Sequence, residues 1–535
     1  MQWQSNSLSK LETLPDAIAS LWAKEVKVSV DCEDLIVLIE CASDRLQEVC
    51  VWLFAEAEYT FATLIVQESS SDWLLRYAFY GDLGCGQAHV LIRQPKSDSV
   101  VPSISGRVHA ADWHEREVED LFGITFEGHP RLGDFVLHEE WPEGVNPMRS
   151  DFDASTPYPR RAVNPDWQPL KILQAPGAFM MPIGPVYSDY AESAQFFLET
   201  VGEDVVRTTP RFFYKYRGLE KLAEGQPIDR VLLMAERFSG DFAFAHSLAF
   251  CQAVEQICGI QPPARAQALR ALLAELERLR HHVGAIASIC GSTALAVATS
   301  QASILEEELL RLSCVLTGHR YLFGMNVSGG LSMDLDNERC VGLSGSIDGV
   351  LERLTALQEM LRYSSSFLDR LEEVGMVSAE KAISYSLVGP VARASGVSRD
   401  LRKVLPYGFY NTAMEFHVPV EFEGDGYARL RVLFSEVEQS AKIIREVACS
   451  LTPGEVVSSD FEIVCGEALG WAEAPLGAAF HWLKIGDDKT VARYRVTSPS
   501  FTNWHGFHLA AEDFAFQDFP IIMATFGLSN AESDR

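Results

Sequence analysis

The stretch Leu269–Ile286 reads LRALLAELERLRHHVGAI, and its spacing decides the architecture. Leu269, Leu272, Leu276, Leu279, Val283 and Ile286 step by three and four, which lays one apolar stripe along a helix. Further along the chain, Val350, Leu354, Leu357, Leu361, Leu368 and Leu371 repeat the pattern, with Ser364 at the one polar stripe position. Leu430, Leu433, Val437, Ser440, Ile444, Val447 and Leu451 do so again. Three long stripes joined by Gly/Pro-rich loops predict an antiparallel helix bundle. No residue from Val283 to Leu305 is charged, a length that could cross a bilayer. Ser288, Gly291, Ser292, Thr293, Thr299, Ser300, Gln301 and Ser303 dilute it, so the expectation is a buried helix–turn–helix and membrane contact only through partner proteins.

Both flanks of the bundle carry strand signals. Val26, Val28 and Val30 alternate with Lys27 and Ser29, the period of a half-buried strand, and Leu35–Ile39 follows as a second. Ser43 is expected to cap a helix that buries Leu46, Val49, Cys50 and Leu53. Strand-like runs continue at Thr60–Val66, Trp73–Tyr80 and His89–Ile92, then a helix over Ala110–Leu121. Prolines crowd Pro142–Pro185, which predicts an extended, irregular arm. Strand signals return over Cys465–Val496, with a turn at Gly486-Asp487-Asp488. The expected fold class is α+β: an N-terminal α/β domain over 1–140, a proline-rich linker over 141–180, and a mainly helical domain with peripheral strands over 181–535.

Composition removes several functions. The chain has 535 residues, 47% of them hydrophobic, enough to bury a core in each of two to four domains of roughly 100–200 residues. The net charge of -29 argues against nucleic acid as a partner, because phosphate needs Lys/Arg patches. The start of the chain lacks a basic segment followed by an apolar one, so a cytoplasmic location is expected. No two of the 11 cysteines are three apart, which leaves no C-x-x-C for zinc or an iron–sulfur cluster. No glycine-rich nucleotide cradle is present, so direct binding of NADH or ATP is unsupported.

Three segments are crowded with groups that could do chemistry. Glu115 and Glu119 share a helix face and could pair for acid–base work, although a solvated or interface-forming face is the expectation. Glu275, Glu277, His281 and His282 share one helix, and satisfied helix-surface groups are expected there. Glu236-Arg237-Phe238-Ser239-Gly240-Asp241-Phe242 leads into Ala245-His246, where Asp241 or Ser239 could cap the helix that carries His246.

Longer strings extend the reading. Trp113-His114-Glu115-Arg116-Glu117, Asp120-Leu121-Phe122-Gly123 and Phe126-Glu127-Gly128-His129-Pro130 resemble the signature of the C-type subunits of the complex I peripheral arm. Trp141-Pro142-Glu143-Gly144-Val145-Asn146-Pro147-Met148-Arg149 resembles the join of fused C/D-type subunits, which include the large subunits of group 4 [NiFe] hydrogenases such as formate hydrogenlyase and hydrogenase-4. Tyr216-Arg217-Gly218-Leu219-Glu220, Gly424-Asp425-Gly426-Tyr427-Ala428-Arg429, Gly470-Trp471-Ala472-Glu473-Ala474-Pro475 and Thr497-Ser498-Pro499-Ser500-Phe501 resemble the D-type domain, in family order from about residue 100.

The departures from the family pattern carry the functional reading. In the hydrogenases two C-x-x-C pairs hold nickel and iron through soft thiolates. The resemblance puts those positions at Ser239 and Phe242, and at Ser529 and Glu532, so no nickel is expected. The quinone-reducing relatives use a histidine after Gly-Pro and a tyrosine beside the first lost cysteine. Here Gly184-Pro185 is followed by Val186-Tyr187-Ser188-Asp189-Tyr190, and the tyrosine position falls on Gly240. Leu476 also stands where the pattern usually has a polar or basic residue.

The resemblance therefore implies an oxidoreductase subunit in the peripheral arm of a complex I-like, hydrogenase-4-like assembly related to NADH dehydrogenase. His246, Arg237 and Glu220 are the expected catalytic groups; Tyr187, Gly240 and Asp241 would bind the acceptor. No cofactor is expected on this chain directly, a quinone-like acceptor fits the emptied cavity, and an iron–sulfur cluster is expected in a partner. The expected partners are a small iron–sulfur subunit and membrane antiporter-like subunits, holding the protein against the inner face of the cell membrane. The alternatives are a non-catalytic structural or coupling subunit and a true [NiFe] hydrogenase.

Overall fold

The computed structural model describes every residue except 1–12, 23–24, 32–34, 83, 163–172, 175, 187–191, 412–413 and 459. The alternating runs of the first third form a five-stranded sheet. Its spatial order is Val26–Asp31, Ile36–Cys41, Gln87–Pro95, Asp72–Tyr80, Thr60–Glu68, antiparallel except where Ile36–Cys41 meets Gln87–Pro95. The helix Leu46–Ala55 buries Leu46, Val49, Cys50 and Leu53 as expected, but Ser43 does not cap it. Ser43–Arg45 is instead a single 3-10 turn that leads into the helix.

The seam helix Asp112–Phe122 closes the first domain, and Gly123 ends it with a left-handed φ of 73°. Beyond it a short strand, Thr125–Glu127, pairs in parallel with Val100–Pro102, and from residue 128 the chain is irregular through residue 162, as the prolines require. The proline-rich segment is not irregular throughout. Ala178–Ile183 forms a strand and holds Pro182 at the free edge of a second sheet, where a missing N–H costs no ladder bond.

The predicted bundle is present. The stripe Leu269–Ile286 lies on the central helix Ala264–Ser292, packed between Ala296–Thr317 and Gly426–Ser450. The uncharged run folds as the expected helix–turn–helix, turning over 293–295. Among the described residues no helix is long and apolar enough to cross a membrane. The stripe that begins at Val350 breaks at its polar position: helix Asn337–Arg362 ends, and Ser364 precedes a short new helix, Ser365–Leu368. A third sheet, Gly466–Ala474, Gly477–Ile485 and Val491–Thr497, packs on the bundle through the helix Ala243–Cys258.

The two domains meet along a polar seam. Glu467 binds Gln67 at 2.8 Å and Arg76 beside it, and Thr497 reaches Thr63 at 2.7 Å. Deeper in, Glu117 of the seam helix receives two hydrogen bonds from Arg535, at 2.7 and 3.0 Å, and pairs with Arg495 at 2.7 Å.

Candidate functional site

The loop before the helix Ala243–Cys258 turns at Gly240, whose φ of 81° only glycine adopts freely. Neither Asp241 nor Ser239 caps that helix: the residue at its N-cap is Phe242, with no side-chain cap bond. The cap comes from another helix. Glu277 of the central helix accepts the N–H groups of Phe244 at 2.8 Å and Ala245 at 3.0 Å. This is the physical reason Glu277 is not the surface group expected from its helix. Burial pushes its carboxyl up to about 7, against these two bonds.

One turn further on, His246 joins a buried chain. Its Nε2 lies 2.7 Å from Glu532 Oε1, and its Nδ1 lies 2.9 Å from His481 Nε2. His481 Nδ1 lies 2.6 Å from the Tyr494 hydroxyl. The backbone N–H of Ser500 donates to the other Glu532 oxygen at 3.1 Å. Each of the four side chains is at most 1% exposed. Burial drives the His481 pKa well below its ordinary value and the Tyr494 pKa well above, so both are neutral.

The third sheet and a glycine build this chain. His481 pairs with Val496 and Leu483 with Tyr494, so His481 and Tyr494 are diagonal neighbours on one sheet face. Gly470, opposite His481, lets the helix Ala243–Cys258 lie directly on the sheet; a Cβ there would sit 2.0 Å from the Ala249 carbonyl oxygen. That close approach brings His246 to His481. Nothing in the sequence pairs His481 with Tyr494, because their nearness depends on strand register.

The structure gathers only some of the predicted site residues. His246, Asp241, Ser529 and Glu532 come together: the Ser529 hydroxyl bonds the Asp241 carboxyl. Burial raises the Asp241 pKa, and the nearby Glu532 charge adds to the rise. Asp241 is nonetheless exposed to solvent, beside the buried His246 and Glu532. Phe242 is buried with its ring against His281, at 4.9 Å between centroids.

Arg237 turns away from His246. It pairs with Glu236 at 3.3 Å, stacks over Phe323 and remains 46% exposed. Glu220 lies at the far end of the chain, in the seam, where it accepts the Val496 N–H at 2.9 Å and pairs with Arg535 at 3.2 Å. Tyr187 lies outside the described residues.

A second buried cluster sits deeper among the helices. Arg393 bonds Glu436 at 2.5 Å, pairs with Asp400 at 3.1 Å and also holds Glu473. Arg402 bonds Glu275 at 2.7 Å and Asp400 at 2.6 Å, and Arg278 donates to the Glu473 carbonyl at 2.6 Å. His282 reaches Glu436 at 2.8 Å. Glu275 and His282, expected on a helix surface, are thus fully buried, because the charges that satisfy them arrive from other helices. Burial opposes ionisation of Glu436, but Arg393 and His282 outweigh it and hold its carboxyl below the usual range. Glu473 goes the other way, pushed up to about 7 by burial and by Asp400.

The expected solvated carboxylate face on the seam helix is also absent at Glu115. That residue is fully buried, accepts hydrogen bonds from Ser103 Oγ at 2.5 Å and Ile104 N at 2.9 Å, and is pushed up to about 7 by burial. Glu119 accepts instead from Gly133 N at 3.0 Å, so the two carboxylates do not pair.

Comparison with known proteins matches two parts of the chain to two families. Residues 39–158 match the respiratory-chain NADH dehydrogenase 30 kDa subunit, and residues 297–468 match the 49 kDa subunit. Formate hydrogenlyase subunit 5 of Escherichia coli is 32% identical over 441 residues, covering 81% of this chain and 77% of that protein. Hydrogenase-4 component G of Escherichia coli is 27% identical, covering 81% and 76%. The C/D subunit of NADH-quinone oxidoreductase from Acinetobacter baumannii is 29% identical, covering 82% and 81%.

Proposed function

This chain belongs to the family of fused 30 kDa/49 kDa-type subunits that includes formate hydrogenlyase subunit 5, and from that premise we propose that it works in the peripheral arm of a membrane-bound redox complex, passing electrons to a quinone-like acceptor. The electrons come from an iron–sulfur cluster in a partner subunit, and antiporter-like partners hold the arm at the inner face of the membrane. The acceptor sits at the rim made by Gly240 and Asp241. His246 supplies its proton through the pocket.

The observation that carries this reading is the donor set at Ser239, Phe242, Ser529 and Glu532. Two hydroxyls, a phenyl ring and a carboxylate already bonded to His246 do not fit a nickel–iron centre, which takes soft thiolates. A buried imidazole on a carboxylate suits proton transfer to a reduced acceptor. The filled pocket also favours a second reading, a non-catalytic coupling subunit, since His246, Phe242 and Glu532 occupy the space themselves.

Purification of the intact complex separates these readings. The expected result is no stoichiometric nickel, reduction of a soluble quinone analogue, and a photoactivatable quinone crosslinked near Asp241. One nickel per chain with hydrogen evolution overturns the proposal. Labelling elsewhere, with His246→Ala leaving electron transfer unchanged in an assembled complex, selects the coupling subunit.

A further inference from the structure

Glu532, His246, His481 and Tyr494 have a property beyond their contacts: with both imidazoles neutral, their hydrogen bonds admit two consistent arrangements. With Glu532 ionised, its Oε1 accepts the His246 Nε2 proton. His246 Nδ1 must then accept from His481 Nε2, and His481 Nδ1 must accept from the Tyr494 hydroxyl. All donors point toward Glu532. With Glu532 protonated, every bond reverses, both imidazoles switch tautomer, and the Tyr494 hydroxyl proton points away from His481. The Ser500 N–H holds Glu532 Oε2 in both states, so Oε1 is the atom that takes the proton.

At the domain seam lies a void the size of one water molecule, lined by Glu117, Glu220, Tyr494, Arg493 and Arg495 among others. We propose that these four side chains, Glu532, His246, His481 and Tyr494, form a proton relay from the domain seam to the pocket, with Glu532 as the terminal proton store. The step balances. A proton delivered to water in the void passes on to the Tyr494 oxygen and leaves that water neutral, and Tyr494 gives its own proton to His481 Nδ1. His481 Nε2 passes one to His246 Nδ1, and His246 Nε2 passes one to Glu532 Oε1. One proton enters, the chain's charge rises by one, and no imidazolium remains. The proposal rests on the reading above for what consumes the proton.

Two measurements test it separately from that reading. In the full chain with ¹⁵N-labelled histidine, the resonances of His246 and His481 are expected to report Nε2-protonated tautomers at high pH. Both are expected to switch together as Glu532 protonates; E532Q is expected to abolish that pH-dependent switch. Independent switching, or an imidazolium at either position, overturns the relay whatever the acceptor is. In the assembled complex, E532Q and Y494F are each expected to lower turnover by roughly 100-fold, with KM unchanged and a larger solvent isotope effect. Y494F keeps the ring packing, so it guards against a folding defect. Unchanged turnover in both variants also overturns the relay, while a complex that reduces no quinone fails the functional reading and leaves the tautomer result to decide this one.

Discussion

Two buried carboxylate sites lie in the same domain and treat charge in opposite ways. The helical cluster sets Glu275, Asp400, Glu436 and Glu473 against Arg278, Arg393 and Arg402. Guanidinium groups do not lose protons, so that cluster's positive charge is fixed in number and place. The pocket sets Glu532 against imidazoles and a phenol, which exchange protons readily. The difference is between charge that holds helices in position and charge that can move.

The largest effect that could break this contrast is in the cluster. Arg393→Leu leaves Glu436, Asp400 and Glu473 without their shared cation and is expected to cost about 3–5 kcal/mol, read from chemical denaturation. A loss below about 1 kcal/mol would mean the cluster is not the rigid element.

Glu473 sharpens the contrast next. Its carboxyl is raised from 4.5 to about 7 in the folded protein, so the native state holds a proton that the unfolded chain has released. Its contribution is fully present below pH 4.5 and is lost as pH rises through about 7. Glu473→Gln is expected to remove that decline from the stability–pH curve across this window. An unchanged slope would place the mobile proton elsewhere in the cluster.

The smallest effect is in the pocket. Tyr494→Phe removes one hydrogen bond and is expected to lower stability by about 1 kcal/mol in the same denaturation assay. A loss as large as that of Arg393→Leu would erase the distinction between the two sites.

What was legible in the sequence follows the same division. The leucine stripes were legible because a helix repeats every few residues, and that period survives any tertiary context. The break at Ser364 was not legible: Ser364 looks like one polar position in a stripe that otherwise reads as continuous from Val350 to Leu371. The burial of Glu275 and His282 was not legible, because a polar residue on a long helix looks solvated until its partners are placed. Those partners come from far away: Ser440 binds Glu275 across 165 positions, and Glu436 binds His282 across 154. In the pocket, His246 and Glu532 were both marked by family resemblance. Their direct bond, and its extension through His481 and Tyr494, needed the register of the third sheet and the bare backbone of Gly470. A histidine inside an otherwise apolar strand, as in Ala478-Ala479-Phe480-His481-Trp482-Leu483, was the available signal.

The seam carries a consequence for the order of events at the ribosome. Glu117 and Arg535 are 418 positions apart. At about 5–20 residues per second, roughly 20–80 s pass between their syntheses. During that interval the first sheet can fold, but its seam helix has neither Arg495 nor Arg535 to face. The face that later closes the molecule stays without these two partners until Arg495 and Arg535 have been made.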